Sequence, residues 1–253
     1  SGLEAARVSA ERGHDVILFE AQNQPGGQLR LIARTQRRSE MIGIADWRVA
    51  ELERLGVDLR CNVFAGTEDI LAEHPDIVVI ATGGIPEPDI CTGGTMATSS
   101  WDILSGDVAP GSEVLLFDDH GHEQGMQVAE FLVKAGATLE VVTPERMFGV
   151  DVSGMNHAPY ARALAAHEAK ITVNSLLQSI EKKGNRLLVT LGSEYSDRTS
   201  SRQVDQVIVE CATRPVDELY FQLKPLSRNL GAVAHRDLIE GRPQSIATNP
   251  EGQ

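Results

Sequence analysis

The sequence is poor in cysteine and in aromatic residues. Its 253 residues include three cysteines, and aromatic side chains make up 4% of the chain. Cys61, Cys91 and Cys211 are far apart and form no CxxC pair, which argues against a thioredoxin-type dithiol, a zinc knuckle or an iron–sulfur cluster held by this chain. An odd number of cysteines without a signal peptide favours a reducing, cytoplasmic environment.

The sequence also lacks long apolar runs and an excess of positive charge. Although 42% of its residues are hydrophobic, no run is long enough to span a bilayer. The formal net charge of −13 disfavours nucleic acid and anionic lipid surfaces as partners. A chain of this length can form one large domain or two modest ones.

Two parts of the sequence share one pattern of glycine, helix, glycine and apolar strand. Gly125 and Gly136 follow Gly2 and Gly13 by the same 123 positions. In a second matching pair, "DIVVIATGGIP" begins at residue 76 and "DQVIVECATRP" at residue 205, and each combines an acid, an apolar strand, a threonine and a proline. We interpret the two copies as duplicated strand–helix–strand units, the alternative being that any two such units look alike.

The first copy begins directly with its helix, which is predicted at residues 3–12, whereas the second copy has a predicted strand at residues 113–119 before its helix. The matching strand of the first copy would then lie before Ser1, and Gly2 would be the last glycine of a GxGxxG loop. That strand is central in a parallel sheet of this kind, so its absence would leave backbone groups unpaired. We expect that about a dozen further upstream residues would raise the stability of the chain.

Three motifs in the first copy are suited to a dinucleotide. Glu20 ends the strand after the helix, where an acid accepts hydrogen bonds from adenosine ribose hydroxyls and repels a 2′-phosphate. The turn "PGG" at residues 25–27 permits positive φ and close approach of a ligand. The turn "ATGG" at residues 81–84 follows a predicted buried strand at 76–80 and has small side chains. The simpler interpretations are a solvated carboxylate, a surface loop and a strand-end turn.

The second copy departs from this pattern at its loop. His120 and His122 stand where the first two glycines of GxGxxG belong, and their side chains would crowd a pyrophosphate. The stretch "DDHGHEQG" contains ligand types for a metal, but its spacing matches no common metal site. Thr143 takes the place of the ribose acid. We therefore predict no metal site and a degenerate nucleotide site that binds NAD(P) weakly or not at all.

The opening "SGLEAARVSAERGHDVILFEAQNQPGGQLRL" resembles the nucleotide-binding half of the flavoproteins related to trimethylamine dehydrogenase and 2,4-dienoyl-CoA reductase. The resemblance covers nearly the whole chain. Within that family, "RVAELERLGVDLR", "DIVVIATGG" and "ELYFQLKPLSRNLGA" look closest to the N-methylproline demethylases.

This resemblance implies a fold and a domain plan. Members of the family carry an N-terminal TIM barrel with FMN and a 4Fe–4S cluster, followed by an FAD- or ADP-binding domain that an NAD(P)-type domain interrupts. The implied fold class is α/β, with two Rossmann-like three-layer dinucleotide-binding domains, the second inserted in the first. The implied ranges are an FAD/ADP-binding domain at 1–108, an NAD(P)-binding-like domain at 109–211 and a return to the first domain at 212–253. A closing Gly-Asp pair is not found before the final "TNPEGQ", so we expect a fragment that lacks both edges of its cofactor site.

The resemblance also assigns cofactor contacts. Gly2 matches the final loop glycine, Glu20 the ribose acid and Val63 a backbone position near the adenine. The loop at 27–29 matches the pyrophosphate side, and the turn at 82–83 faces the cofactor. The full predicted set of cofactor-binding residues is Gly2, Glu20, Ala21, Gly26, Gly27, Gln28, Leu29, Val63, Ala81, Thr82 and Gly83. No catalytic residue and no metal ligand is predicted in this chain.

The predicted function is that of the nucleotide- or flavin-binding portion of an FMN, iron–sulfur and FAD oxidoreductase. The resemblance implies oxidative N-demethylation of a small amine or enoyl reduction, with electrons passing between a barrel flavin and FAD or NAD(P)H. The partners would be the nucleotide cofactor and the TIM barrel of the same protein, and homo-oligomerisation is left open. The alternative, favoured by the glycine-poor loop of the second copy, is a non-catalytic or vestigial nucleotide-binding or docking module. We expect the isolated chain to bind FAD weakly.

Overall fold

The computed structural model describes residues 1–211, 213–246, 249 and 252. Within them the helices are α1 (Gly2–Glu11), α2 (Gln28–Ile32), α3 (Ile42–Arg54), α4 (Thr67–Ala72), α5 (Ser100–Ser105), α6 (Glu123–Lys134), α7 (Gly154–Ala166), α8 (Glu218–Leu223) and α9 (His235–Ile239). The strands are β1 (Ile17–Glu20), β2 (Asp58–Cys61), β3 (Gly84–Pro86), β4 (Thr98–Ser99), β5 (Glu113–Asp118), β6 (Thr138–Val142), β7 (Lys170–Thr172), β8 (Leu176–Lys183), β9 (Arg186–Ser193), β10 (Ser196–Val204), β11 (Gln206–Glu210) and β12 (Thr213–Pro215).

The chain forms two compact units. Unit 1 consists of Ser1–Gly26, Gly43–Gly84 and Pro215–Gln253, and unit 2 consists of Gly27–Ile42 and Ile85–Arg214. The domain ranges derived from the sequence, with boundaries at 109 and 212, stay a prediction. The predicted return segment and the final "TNPEGQ" include positions outside the described residues, namely 212, 247, 248, 250, 251 and 253.

Unit 2 is built on a parallel sheet with the strand order β4-β11-β5-β6-β7. Helix α6 connects β5 to β6, the crossover that parallel neighbours require. Strands β5 and β11 are nearly continuous apolar runs because they are buried on both faces. This alternation of strands and helices confirms the predicted α/β class and the Rossmann-like character of the fold.

The two faces of that sheet pack against different layers. Because side chains alternate along a strand, Val114 and Leu116 of β5 join one core cluster with side chains of α5, α6 and α7. Leu115 and Phe117 join a second cluster with side chains of β8, β9 and β10, which form a three-stranded antiparallel sheet. Unit 2 is therefore a three-layer structure with helices on one face of the parallel sheet and antiparallel strands on the other.

Unit 1 contains a smaller sheet of two parallel strands, β1 and β2, in which Glu20 lies opposite Cys61. Helix α1 leads into β1, as the sequence pattern predicts, and α3 leads into β2. The side chains buried in this unit include those of Ala6, Ala45 and Leu52.

The strand predicted at residues 76–80 does not form, and this prediction is wrong. Ile77 is 75% exposed and Val79 is 62% exposed, and no residue from 77 to 83 has strand structure. An apolar run becomes a strand only where a neighbouring strand accepts and donates its backbone hydrogen bonds. Within the described part of unit 1, β1 and β2 pair with each other and not with this run.

Among the described helices, none is both long enough and apolar enough to cross a membrane.

Candidate functional site

The start of α1 brings two of the predicted cofactor-binding residues together. A Cβ atom placed on Gly2 would lie 3.3 Å from the Cβ of Ala81 and 3.7 Å from Cδ1 of Leu18. The first contact is tighter than an ordinary van der Waals contact, so a side chain here would need its neighbours to move. The N-cap of α1, Ser1, makes no side-chain capping hydrogen bond, so the first N–H groups of the helix are available to an anionic group.

The end of β1 positions Glu20 and Val63. The backbone N–H of Val63 donates to the carbonyl oxygen of Glu20 at 3.0 Å. The Glu20 carboxylate accepts one hydrogen bond, from the backbone N–H of Gln22 at 2.9 Å, and the side chain is half-buried. That bond fixes the carboxylate at the strand end, and its remaining lone pairs suit hydroxyl donors such as those of a ribose. Ala21, the next predicted site residue, is exposed.

The turn at Thr82 and Gly83 is held by the chain after β12. The Thr82 hydroxyl donates to the carbonyl oxygen of Val216, and the backbone N–H of Val216 donates to the carbonyl oxygen of Gly83 at 3.0 Å. Gly83 has a φ of 69°, in the left-handed region that favours glycine. The turn therefore exists as predicted, although the strand before it does not.

The glycine pair of "PGG" adopts the conformations that the motif predicts. Gly26 has a φ of 135° and Gly27 a φ of 54°, so both need glycine. Gly27 is the N-cap of α2, whose first two residues are Gln28 and Leu29. Gly26 belongs to unit 1, whereas Gly27, Gln28 and Leu29 belong to unit 2.

Unit 2 carries a buried polar cluster that the motifs did not reveal. Asp118 and Glu210 are opposite each other at the carboxyl ends of β5 and β11 and are 0% and 4% exposed. The Ser100 hydroxyl donates to the Glu210 carboxylate, and Nδ1 of His120 lies 3.8 Å from Oε1 of Glu210. The signal that could have found this cluster is an acid at the end of each apolar strand, in "EVLLFD" and in "QVIVE".

The low polarity around the two acids favours their neutral forms. Burial raises the pKa of Asp118 to about 7, against the opposing effect of the backbone N–H of His120, and the Glu210 charge raises it further. Burial likewise raises the pKa of Glu210 to about 7, although the hydrogen bond from Ser100 opposes the change. Both groups therefore titrate near neutral pH.

A cavity beside Glu210 is lined by both apolar and polar side chains. Its polar lining residues are Gln28, Ser100, Gln124, Gln127 and Glu210. Within the part of the chain that the structure describes, Oε1 of Gln127 and Oδ2 of Asp118 are buried without a hydrogen-bond partner. This end of the sheet therefore presents acceptors.

The rings of His120 and His122 lie 4.7 Å apart in an edge-to-face arrangement. Among the described residues, no group of three or more histidine, cysteine, aspartate and glutamate side chains is placed to hold a metal ion.

The sequence of this chain is similar to parts of known proteins. It is 50% identical over 254 aligned positions to the "Probable N-methylproline demethylase" of Rhizobium meliloti (strain 1021). This alignment covers 100% of this chain and 38% of the relative. It is 42% identical to the "N,N-dimethylglycine/sarcosine dehydrogenase" of Chromohalobacter salexigens, over 98% of this chain and 37% of the relative. The chain thus spans less than two fifths of the length of these relatives. No protein-family model matches it.

Solved structures of oxidoreductases also match most of this chain. A 2-naphthoyl-CoA reductase in complex with 2-naphthoyl-CoA matches 86% of this chain and 32% of its own, at 28% identity and a TM-score of 0.77. Thioredoxin reductase of Lactococcus lactis matches 89% of this chain and 78% of its own at a TM-score of 0.68, and its 17% identity shows the shared fold alone. From its fold and its close relatives, the chain belongs to the flavin-dependent oxidoreductase family of trimethylamine dehydrogenase, 2,4-dienoyl-CoA reductase and the N-methylproline demethylases.

Proposed function

We propose that the chain is the dinucleotide-binding portion of a flavin-dependent oxidoreductase and that unit 1 binds the adenosine diphosphate part of FAD, or ADP itself. The observation that carries the proposal is the glycine at the first position of α1, where a Cβ on Gly2 would lie 3.3 Å from the Cβ of Ala81, so that a larger residue would displace its neighbours. Phosphate oxygens can reach the first N–H groups of such a helix, and the partial positive charge of the helix end favours them.

The other predicted residues have roles that follow from their chemistry. Glu20 would accept hydrogen bonds from the ribose hydroxyls, and the backbone at Ala21 and Val63 would lie on the adenine side. Thr82 and Gly83 would contribute a turn without bulky side chains. Gly27, Gln28 and Leu29 are retained as the pyrophosphate-side loop that the family resemblance implies, and Gly26 is retained as a cofactor-binding residue. FAD, when bound, supplies the electron-transfer chemistry, and this chain supplies binding and orientation.

For the full-length protein we propose oxidative removal of a methyl group from a small N-methyl amine. The names of the two relatives that are 50% and 42% identical support this substrate class. Enoyl reduction is the second candidate, supported by the naphthoyl-CoA reductase structure at 28% identity. The proposal includes a TIM-barrel domain with FMN and a 4Fe–4S cluster outside this chain, electron transfer between that barrel and FAD, and a cytoplasmic location, which three free cysteines support.

Calorimetric titration of the full chain with FAD, ADP, AMP and 2′,5′-ADP tests the nucleotide site. We expect AMP to bind about tenfold more tightly than 2′,5′-ADP, which differs from AMP only by its 2′-phosphate, because the Glu20 carboxylate repels that phosphate. The Glu20→Gln variant should lose most of this difference. Glu53→Gln, which changes an exposed acid on α3, is the matched control and should keep it.

Two outcomes would count against the proposal. A folded chain that binds neither FAD nor ADP would favour the alternative, a vestigial or docking module. Equal affinities for AMP and 2′,5′-ADP would contradict the role assigned to Glu20. For FAD itself we expect a Kd no tighter than about 1 μM in the isolated chain.

A further inference from the structure

The loop between β5 and α6, residues 119–122, has the position of a phosphate-binding loop. It follows the carboxyl end of a parallel strand and leads directly into α6, whose N-cap is His122. In a Rossmann-like domain the N–H groups of such a loop and of the following helix start hold the pyrophosphate of a dinucleotide. Any NAD(P) bound by the second domain, where the sequence predicts weak binding or none, would have to bind here.

Asp118 already takes up two of the backbone N–H groups of this loop. Its Oδ1 accepts a hydrogen bond from the backbone N–H of His120 at 3.2 Å, and the N–H of Gly121 also stabilises the carboxylate. A Cβ atom on Gly125 would lie 2.7 Å from Cγ of Asp118 and 2.8 Å from each of its carboxyl oxygens. Gly125 is the third glycine of the loop pattern, and the space that it leaves holds an acid of the same chain.

The residues around the loop are acidic, and some of them are buried or already hydrogen-bonded. Glu210 lies opposite Asp118 and is 4% exposed, and Asp119 follows on the surface. The first residue of α6, Glu123, accepts hydrogen bonds from Arg38 and from the Tyr160 hydroxyl, so the guanidinium at this helix start is already paired.

The backbone of the loop is also tightly packed. A Cβ on Gly121 would lie 2.7 Å from Cγ1 of Val150, so the side chain of Val150 packs against the backbone of the loop. His120 and His122 project their side chains from it, with ring centroids 4.7 Å apart. A loop that binds a pyrophosphate needs bare backbone instead, which is why glycines occupy these positions in the GxGxxG pattern.

We propose that the Asp118 carboxyl group occupies the phosphate-binding loop of unit 2, so that unit 2 excludes dinucleotides. A pyrophosphate carries two negative charges, and at pH values above their pKa of about 7 the buried carboxylates of Asp118 and Glu210 repel it strongly. The backbone N–H groups of His120 and Gly121, which would compensate this repulsion, are already directed at Asp118. The Rossmann-like architecture of unit 2 thus persists without its usual ligand.

Hydrogen–deuterium exchange of the full chain with NADH separates unit 2 from any nucleotide site in unit 1. For the wild-type chain we expect no NADH-dependent slowing of exchange in residues 119–126 at concentrations up to about 1 mM. Slowed exchange there at about 0.1 mM NADH would overturn the proposal. This measurement needs no variant and is independent of the ADP titration of unit 1.

Two loop variants test the role of Asp118 itself. The first, His120→Gly with His122→Gly, restores the glycine pattern and keeps Asp118, and we expect it to gain no NADH protection. The second adds Asp118→Ala and should bind NADH at least about tenfold more tightly than the first. Asp118→Asn, with the same volume, replaces Asp118→Ala if circular dichroism shows that the alanine variant is unfolded. Equal NADH affinities of the two- and three-residue variants, both folded, would overturn the role assigned to Asp118.

Discussion

At the scale of single residues, Glu210 shows how position changes the chemistry of a side chain. It ends an apolar strand, lies 4% exposed opposite a second buried acid and accepts a hydrogen bond from Ser100. Burial raises its pKa from an ordinary value of 4.5 to about 7. The folded chain therefore holds a proton that the unfolded chain releases between these two pH values.

The raised pKa of Glu210 predicts how the stability of the folded chain depends on pH. Between pH 4.5 and about 7 the folded form binds more protons at Glu210 than the unfolded form, so its contribution to stability falls as the pH rises through that window. Replacing Glu210 by Gln removes the charge and keeps an acceptor for Ser100. We expect Glu210→Gln to raise the free energy of unfolding at pH 8 by about 1–2 kcal/mol and to flatten its dependence between pH 5.5 and 8.

Urea unfolding at a series of pH values measures both effects. Glu181→Gln, at an exposed position on β8, is the control and should follow the wild-type curve. A Glu210→Gln curve parallel to that of the wild type would show that Glu210 stays ionised in the folded chain.

At the scale of elements, the two matching apolar runs have different outcomes. "QVIVE" forms β11 in the middle of a sheet, between β4 and β5. "DIVVI" at residues 76–80 forms no strand, and its side chains are largely in water. The local sequences are alike, so the difference comes from the presence or absence of neighbouring strands.

A pair of identical substitutions tests this difference. Val78 and Val207 are equivalent positions of the two runs, and they are 42% and 0% exposed. We expect Val207→Ala to lower the free energy of unfolding by about 2 kcal/mol, because it removes two methyl groups from a packed core. Val78→Ala should change it by less than about 0.5 kcal/mol. Chemical denaturation of both variants gives the comparison, and equal losses would mean that residues 76–80 are buried in solution.

At the scale of the whole molecule, the two units differ in the size of their cores. Unit 2 has two clusters of buried side chains, one on each face of its five-stranded sheet. Among the residues of unit 1 that the structure describes, the buried hydrophobic side chains are Ala6, Ala45, Leu52, Ile70 and Leu223. Because burial of apolar surface is the main source of stability, unit 1 should be the less stable of the two.

The two tryptophans report on the units separately, since Trp47 lies in unit 1 and Trp101 in unit 2. With Trp101→Phe, fluorescence follows unit 1, and with Trp47→Phe it follows unit 2. We expect the Trp47 signal to change at a lower urea concentration than the Trp101 signal. Saturating ADP should shift the Trp47 transition upward, by about 2.7 kcal/mol at a concentration of 100 times the Kd. Coincident transitions that ADP leaves unchanged would contradict both expectations.

Much of the fold could be predicted from the residues alone. The turn from α1 into β1, the strands β5 and β11, and the positive φ at Gly26 and Gly27 follow from local patterns. These features depend on the spacing of apolar side chains and on the conformational freedom of glycine, which a sequence displays directly. The α/β class agrees with the same patterns, whereas the family follows from the resemblance of whole stretches, such as "SGLEAARVSAERGHDVILFEAQNQPGGQLRL", to known flavoproteins.

The tertiary structure alone decided which apolar runs became strands and which polar residues became neighbours. The sequence pattern predicts a strand at residues 76–80, but a strand forms only with hydrogen-bonding partners that are distant in sequence. Asp118 and Glu210 are 92 positions apart in the sequence, and only the parallel register of β5 and β11 places them opposite each other. The sequence by itself therefore determined the kind of fold and the family, whereas long-range pairing determined the buried acids of unit 2, because burial and register depend on contacts that no local pattern contains.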